Sequence, residues 1–275
     1  MRRRLDLEMV RRGLAASRSE AGLAIQRGGV TVSGRPAVKS GSLVGTDEPI
    51  TVSAPGRRFV SRGGEKLDAA LDRFDVHIEG RGALDAGAST GGFTDCLLRR
   101  GAASVVAVDV GYGQLDWRLR NDARVVVLER TNVRDLTAET LPFVPDVVVC
   151  DLSFISLRVA VPALVRVAAS DAEFVLLVKP QFEAGREHVH RGGVVTDPTV
   201  WTGVLASVWD DLRQEGAVPL GLVASPLLGP AGNVEFFIHA ARAVEDALDP
   251  GPVIAAAVEE GIGVRSLGTR GAPAP

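Results

Sequence analysis

The stretch GALDAGASTGGFTDCLLRRG, residues 82–101, reads as a strand, a glycine-rich loop and a helix in immediate succession. Leu84 and Ala86 belong to an apolar run that Gly87 stops, and the helical residues begin after Gly91 and Gly92. Doubly wound α/β folds hold nucleotide-like ligands in loops of this kind. The three glycines permit a tight turn and a close backbone approach to a ligand, and the helix N-terminus offers free backbone N–H groups. The pattern is neither G-x-G-x-x-G nor G-x-x-x-x-G-K-[ST].

Outward from this unit, apolar strand runs alternate with helical stretches. SVVAVDV, ARVVVLE, PDVVVCDLS and EFVLLVKP are the next strands, and residues 157–169 and 199–215 are the clearest helices. AVPLGLVAS and NVEFFIHAAR close the set as an antiparallel hairpin expected at the sheet edge. The alternation predicts an α/β domain with a mostly parallel sheet covered on both faces.

Asp85, just before the first glycine, distinguishes the loop. A carboxylate there repels a pyrophosphate but suits the sulfonium or amino group of S-adenosylmethionine. Asp109 ends the next strand, where an acid can accept hydrogen bonds from ribose hydroxyls, and Asn132 follows the third strand, near the place of an adenine. Together the three strand ends favour a methyltransferase over an NAD enzyme, with a turn or helix-dipole carboxylate as the alternative for Asp85. The expected donor-binding set is Asp85, Gly87, Ser89, Thr90, Gly91, Gly92, Phe93, Asp109, Asn132 and Asp151.

Four polar residues sit at element ends where apolar ones would be ordinary. Lys66 begins the helix before the sheet, Asp151 follows DVVVC, Lys179 follows FVLLV, and Glu235 interrupts an apolar late strand. Carboxyl ends of neighbouring parallel strands share one edge, so Asp151 and Lys179 should lie side by side near the ligand. Two cations with two anions limit the cost of burial. The chemistry suggested is methyl transfer to a hydroxyl, with Lys179 handling the proton or stabilising the forming alkoxide and the carboxylates orienting the lysines. A purely structural ion-pair network would leave the same pattern.

The chain has 275 residues, 46% of them hydrophobic, and a formal net charge of −3. Residues 1–62 carry twelve Lys and Arg against five Asp and Glu, whereas the rest carries nineteen against twenty-nine. A basic head on an acidic body points to a polyanionic partner. No apolar run reaches membrane-span length, and the basic N-terminus lacks a signal-peptide core. Cys96 and Cys150 offer neither a disulfide framework nor metal-ligand spacing and suit a reducing cytoplasm. In the head, residues 5–16 and a second stretch ending near Gln26 read as helices, the latter capped by Ser17 or Ser19; strands follow near residues 30–32 and 49–53.

This head resembles the S-four-type RNA-binding fold. The resemblance implies that Arg3, Arg4, Arg11, Arg12 and Arg18, with Arg62 of the linker, contact RNA backbone, where they position rather than specify. A solvated basic face would read the same way. Lys66, Asp151, Lys179 and Glu235 resemble, in order and context, the K-D-K-E tetrad of FtsJ-like RNA 2′-O-methyltransferases. More narrowly, RRGLAASRSEA, VSRGGEKL, LDAGASTGGFTD, VDVGYGQLDWRLRND, DLSFISL, LLVKPQFEAG, GGVVTDP and SPLLGPAGNVEFF are similar to stretches of the hemolysin-labelled TlyA family of ribosomal RNA cytidine-2′-O-methyltransferases. That resemblance implies a class I, Rossmann-like domain with a seven-stranded sheet, S-adenosylmethionine as donor, and ribosomal subunits as substrate. It further implies action on both subunits and sensitivity to capreomycin and viomycin. The linker reads RRFV where the family has R-x-W-V, so Phe59 keeps an aromatic and loses an indole N–H.

The expected domains are an RNA-binding head over 1–56, a linker over 57–64, a methyltransferase domain over 65–264 and a disordered tail over 265–275. The expected protein is a cytoplasmic monomer whose partner is ribosomal RNA within subunits, away from membranes. Rival readings are a non-catalytic assembly factor and a membrane-active hemolysin. The intact glycine loop and tetrad argue against the first, and the lack of a span against the second.

Overall fold

A computed structural model describes residues 2–15, 17–26, 29–33, 35–37, 39–52, 58–190, 192–244 and 248–270. The chain divides into two compact units, residues 1–58 and 59–275. The boundary falls within the expected linker, whose first residue, Arg57, lies outside the described residues.

The first unit contains β1 (Arg2–Arg4), α1 (Leu5–Arg11), α2 (Arg18–Gln26), β2 (Val30–Val32), β3 (Arg35–Pro36), β4 (Leu43–Gly45) and β5 (Ile50–Val52). Strands β3, β2 and β5 form an antiparallel sheet, and β1 pairs with β4. Leu5, Met9, Ala21, Ile25, Val30 and Val44 make its small core. Helix α1 is shorter than the expected 5–16, because Gly13 takes a φ of 69°, the left-handed conformation that ends helices. Ser17 caps α2 by accepting the Glu20 N–H at 3.1 Å.

The second unit opens with α3 (Arg62–Phe74), capped by the Ser61 hydroxyl, which accepts the Gly63 N–H at 3.2 Å. Gly63 and Gly64 are therefore the first turn of a helix rather than the end of a linker. A Cβ on Gly64 would lie 2.4 Å from Phe59 and 2.8 Å from the Gly92 carbonyl, so close packing outweighs the low helix propensity of glycine. Phe59 is 2% exposed and sits in this unit's core, which corrects its assignment to a linker.

There follow β6 (Gly82–Ala86), α4 (Gly92–Arg99), β7 (Ser104–Val108), α5 (Trp117–Arg120), β8 (Val125–Leu128), β9 (Val147–Cys150), α6 (Leu157–Val167) and β10 (Glu173–Val178). The chain ends with α7 (Pro180–Glu183), α8 (Pro198–Gln214), β11 (Val218–Ala224), β12 (Phe236–Ala241) and α9 (Pro250–Arg270). The seven-stranded sheet runs β11-β12-β10-β9-β6-β7-β8. The five strands from β10 to β8 are mutually parallel, and β12 is antiparallel to both β10 and β11. The expected terminal hairpin is present, but its second strand lies inside the sheet and only β11 forms the edge. Phe236–Ala241 is buried at every position, as an interior strand must be. The tail expected to be disordered from residue 265 is helical through Arg270; residues 271–275 lie outside the described ones.

Alternate residues of each strand face opposite layers. Leu84, Val106, Val148, Leu176 and Phe236 pack against α6, α8 and α9. Ala83, Val105, Val149, Leu177 and Phe237 pack with Leu67, Leu71, Phe93 and Leu97 of α3 and α4. Cys96 and Cys150 are both buried, and burial pushes the Cys150 thiol up, out of the range of a nucleophile.

Candidate active site

The alternation that sorts the core also sorts the polar residues. Asp85 lies two residues after Ala83, Asp151 two after Val149, Lys179 two after Leu177, and Glu235 two before Phe237. All four therefore belong to the face covered by α3 and α4, at or next to the carboxyl ends of the parallel strands. Lys66, in the second turn of α3, approaches from above. The antiparallel sense of β12 decides the last member: it starts where β10 ends, since Val178 pairs with Phe236. Glu235, one residue before that strand, is thereby carried to the same edge.

Two ion pairs result. Lys66 Nζ donates to Glu235 Oε2 at 2.5 Å, with both side chains almost wholly buried. Lys179 Nζ lies 2.6 Å from Asp151 Oδ1 and donates to Ser153 Oγ at 2.9 Å. Lys179 is also the N-cap of α7, with Pro180 in the first turn, where a missing N–H costs nothing. A strand that ends on lysine and proline thus ends where the chain turns into a helix. Around Glu235 the fit is tight: a Cβ on Gly229 would lie 2.5 Å from Glu235 Oε1.

Beside this edge lies a cavity of about 650 Å³ lined by Gly87, Ser89, Asp109, Asn132 and Asp151 of the expected donor set. Asp109 is held by two backbone donors, the N–H of Ser89 at 2.8 Å and of Gly111 at 2.6 Å. Asn132 accepts the Arg134 N–H at 3.1 Å. Val110, Thr131, Leu152, Phe154 and Ile155 complete much of the wall, and sequence reasoning missed them. Their one signal was position, directly after strand ends.

Asp85 is fully buried in β6, two residues before Gly87 of the cavity wall. Thr94, also missed, donates to Asp85 Oδ2 at 2.6 Å, while Asp85 Oδ1 has no partner among the described residues. Burial raises the carboxyl to about 7, helped by the charges of Asp151 and Asp109 and opposed by Thr94. A buried, half-satisfied acid beside a cavity fits a cationic ligand group.

The remaining glycines serve packing. Gly91 has a φ of 97°, and its Cβ would meet Leu119 at 2.2 Å; a Cβ on Gly92 would meet Ser61 Oγ at 2.1 Å. Phe93 stacks on Phe237, ring centroids 6.1 Å apart, inside the core. These three, Thr90 and Asp85 of the expected donor set are not among the residues that line the cavity. Gly91 and Gly92 are both buried, and the Gly91 N–H donates to the Ala88 carbonyl at 2.7 Å, within the turn itself.

The basic residues of the first unit also differ from expectation. Arg12 donates to Glu8 at 2.8 Å and to the carbonyls of Glu48, Gly45 and Thr46 at 2.8, 3.1 and 3.0 Å. It staples α1 to the turn after β4 and is consumed by that task. Arg11 chelates Glu8, and Arg4 and Arg18 share Asp6, two buried acids that the arginines hold down at about 2. Arg3 is exposed. In the second unit, Arg62 donates to the Leu228 carbonyl at 3.2 Å.

Among the described residues no helix is long and apolar enough to cross a membrane. A profile of the FtsJ-like methyltransferase family matches residues 59–242, and one of the S4 domain matches residues 3–50. The 16S/23S rRNA (cytidine-2′-O)-methyltransferase TlyA of Mycobacterium tuberculosis is 54% identical over 238 residues, covering 86% of this chain and 89% of that one. Hemolysin A of Brachyspira hyodysenteriae is 38% identical over 237 residues, covering 86% and 98%. A solved structure from Streptococcus thermophilus, which carries a hemolysin label, has a TM-score of 0.75 at 34% identity and covers 98% of both chains.

Proposed function

The chain belongs to the FtsJ-like methyltransferase family, and on that premise we propose that it methylates the 2′-hydroxyl of cytidine in ribosomal RNA, in both subunits, with S-adenosylmethionine as donor. The observation that carries the reading is Asp151, which lines the donor cavity and also pairs with Lys179. One residue thus joins the place of the methyl group to the place of the proton.

Gly87, Ser89, Asp109, Asn132 and Asp151 would hold S-adenosylmethionine, which would supply an electrophilic methyl group with the donor's sulfur as the leaving atom that keeps the electron pair. Asp109 and Asn132 suit a ribose and a base, and the free oxygen of Asp85 suits the donor's cationic part. Lys179 takes the hydroxyl proton as the oxygen attacks, and Asp151 stabilises the ammonium that forms. Lys66, buried against Glu235, presents a second positive charge for the developing alkoxide. The exposed arginines of the first unit would neutralise RNA phosphates without reading sequence. A ribosomal RNA substrate supports a cytoplasmic site of action, and the proposed working unit is a single chain.

Incubation with S-adenosylmethionine and purified subunits, followed by mapping of ribose methylation, is expected to show modified cytidines. No methylation on either subunit, on free RNA or on whole ribosomes defeats the proposal. The hemolysin labels of some relatives make liposome leakage the parallel assay, with no leakage expected.

A further inference from the structure

Lys179 has two partners of different kinds. Asp151 Oδ1 is the nearer, at 2.6 Å, yet it lies off the direction of a hydrogen bond and has no hydrogen-bond donor among the described residues. Ser153 Oγ, at 2.9 Å, accepts a properly directed one. Charge draws the amine toward Asp151, but charge alone does not orient it: a lysine ammonium is a point charge on a flexible stem with three equivalent donors. Direction comes from the hydroxyl.

Ser153 is itself well placed for this task. The Asp151 N–H donates to the Ala86 carbonyl at 2.9 Å, which anchors the start of the loop. Phe154, the next residue, has a φ of 66°, a conformation that bulky side chains rarely adopt. Its ring lies 5.3 Å from that of Phe182 in α7, the helix that Lys179 begins. These contacts, with the Ser156 hydroxyl donating to Glu183 Oε2 at 2.5 Å, tie the loop after β9 to the turn and helix after β10.

We propose that Ser153 is a positioning residue for methyl transfer. Its hydroxyl fixes one direction around the Lys179 nitrogen while Asp151 holds the amine by charge, and a further direction is left for the proton of the 2′-hydroxyl. The hydroxyl oxygen can accept an N–H from the ammonium and from the neutral amine alike. The contact therefore persists while the lysine gains and loses its proton, and the lone pair of the neutral amine stays free for the 2′-hydroxyl. Ser153 also lines the donor cavity, which brings the orienting group within the site where the methyl carbon is delivered. The inference rests on Lys179 as the proton acceptor.

The test compares Ser153→Ala, Ser153→Thr and Lys179→Ala in single-turnover methylation of subunits, with donor and subunit affinities measured separately. Ser153 is exposed, so the substitutions do not threaten the core. Ser153→Ala is expected to slow the methyl-transfer step about tenfold or more, the worth of one hydrogen bond to a charged group, with both affinities within about twofold. Ser153→Thr, which keeps the hydroxyl, is expected to recover most of the rate. A Ser153→Ala rate within about twofold of the parent, beside an inactive Lys179→Ala, overturns this inference alone. A Ser153→Thr rate no better than that of Ser153→Ala, or a rate loss matched by lost donor affinity, also overturns it and leaves Ser153 a mere piece of cavity wall. Full turnover by Lys179→Ala removes the reading beneath it.

Discussion

Asp85 is an acid that the fold keeps short of one partner, and its pH dependence follows from that. Its folded-state value, about 7, lies above the 3.8 of an unperturbed aspartate. Below 3.8 the group is neutral in both folded and unfolded chains. Between 3.8 and about 7 the unfolded chain ionises first, so this group's contribution to stability is lost as pH rises through that window. Thermal melts of the donor-free protein and Asp85→Asn across pH 4 to 8 are expected to converge at the acid end, with the parent losing ground by up to a few kcal/mol toward pH 8. Donor binding reverses the preference, because a cation favours the carboxylate. Donor affinity should tighten as pH rises through about 7 in the parent and stay flat in Asp85→Asn, as titration calorimetry can show. Lys179 is tested differently: Lys179→Ala should cost at least about a hundredfold in methylation with donor affinity preserved, and undiminished turnover would remove it from proton transfer.

The glycines show at the scale of elements why the loop was legible and its purpose only partly so. GALDAGASTGGFTD announced strand, turn and helix, and the structure has all three. What the glycines accommodate is mostly protein: Gly87 faces the Asp151 carbonyl, Gly91 faces Leu119, and Gly92 faces Ser61. A sequence shows that a side chain is absent but not which neighbour fills the space, since those neighbours lie on other elements. Gly87→Ala places a Cβ 2.6 Å from the Asp151 carbonyl at a φ of 89°. It is expected to destabilise the protein by about 3 kcal/mol in chemical denaturation and to depress methylation by shifting Asp151. Asp151 and Lys179 were legible for a different reason: a charge at the end of an apolar run is conspicuous without any knowledge of contacts. Ser153 and Thr94 were not, because small hydroxyl residues are unremarkable in loops and first turns until a partner is seen. The place of β12 was hidden as well, as sheet order depends on long-range pairing that local pattern does not carry.

The chain's charge asymmetry belongs to the whole molecule, and within it Arg12 is bonded to four acceptors while Arg3 is exposed. Arg12→Ala should weaken the first unit by about 2 kcal/mol, seen as faster hydrogen exchange of its amides in the full chain, because four hydrogen bonds are lost and Glu8 keeps only Arg11. Arg3→Ala should leave that exchange unchanged and lower the slope of log affinity for subunits against log salt by about one. Equal salt slopes in the two proteins would remove Arg3 from the RNA interface. The interior position of β12 has its own consequence for how such a molecule comes into being. Until Phe236–Ala241 has been synthesised and slid between its neighbours, β10 has an open edge, β11 has no partner, and Lys66 has no Glu235. A chain that lacks β12 is therefore expected to aggregate through its unpaired strand edges and to leave Lys66 without its acid.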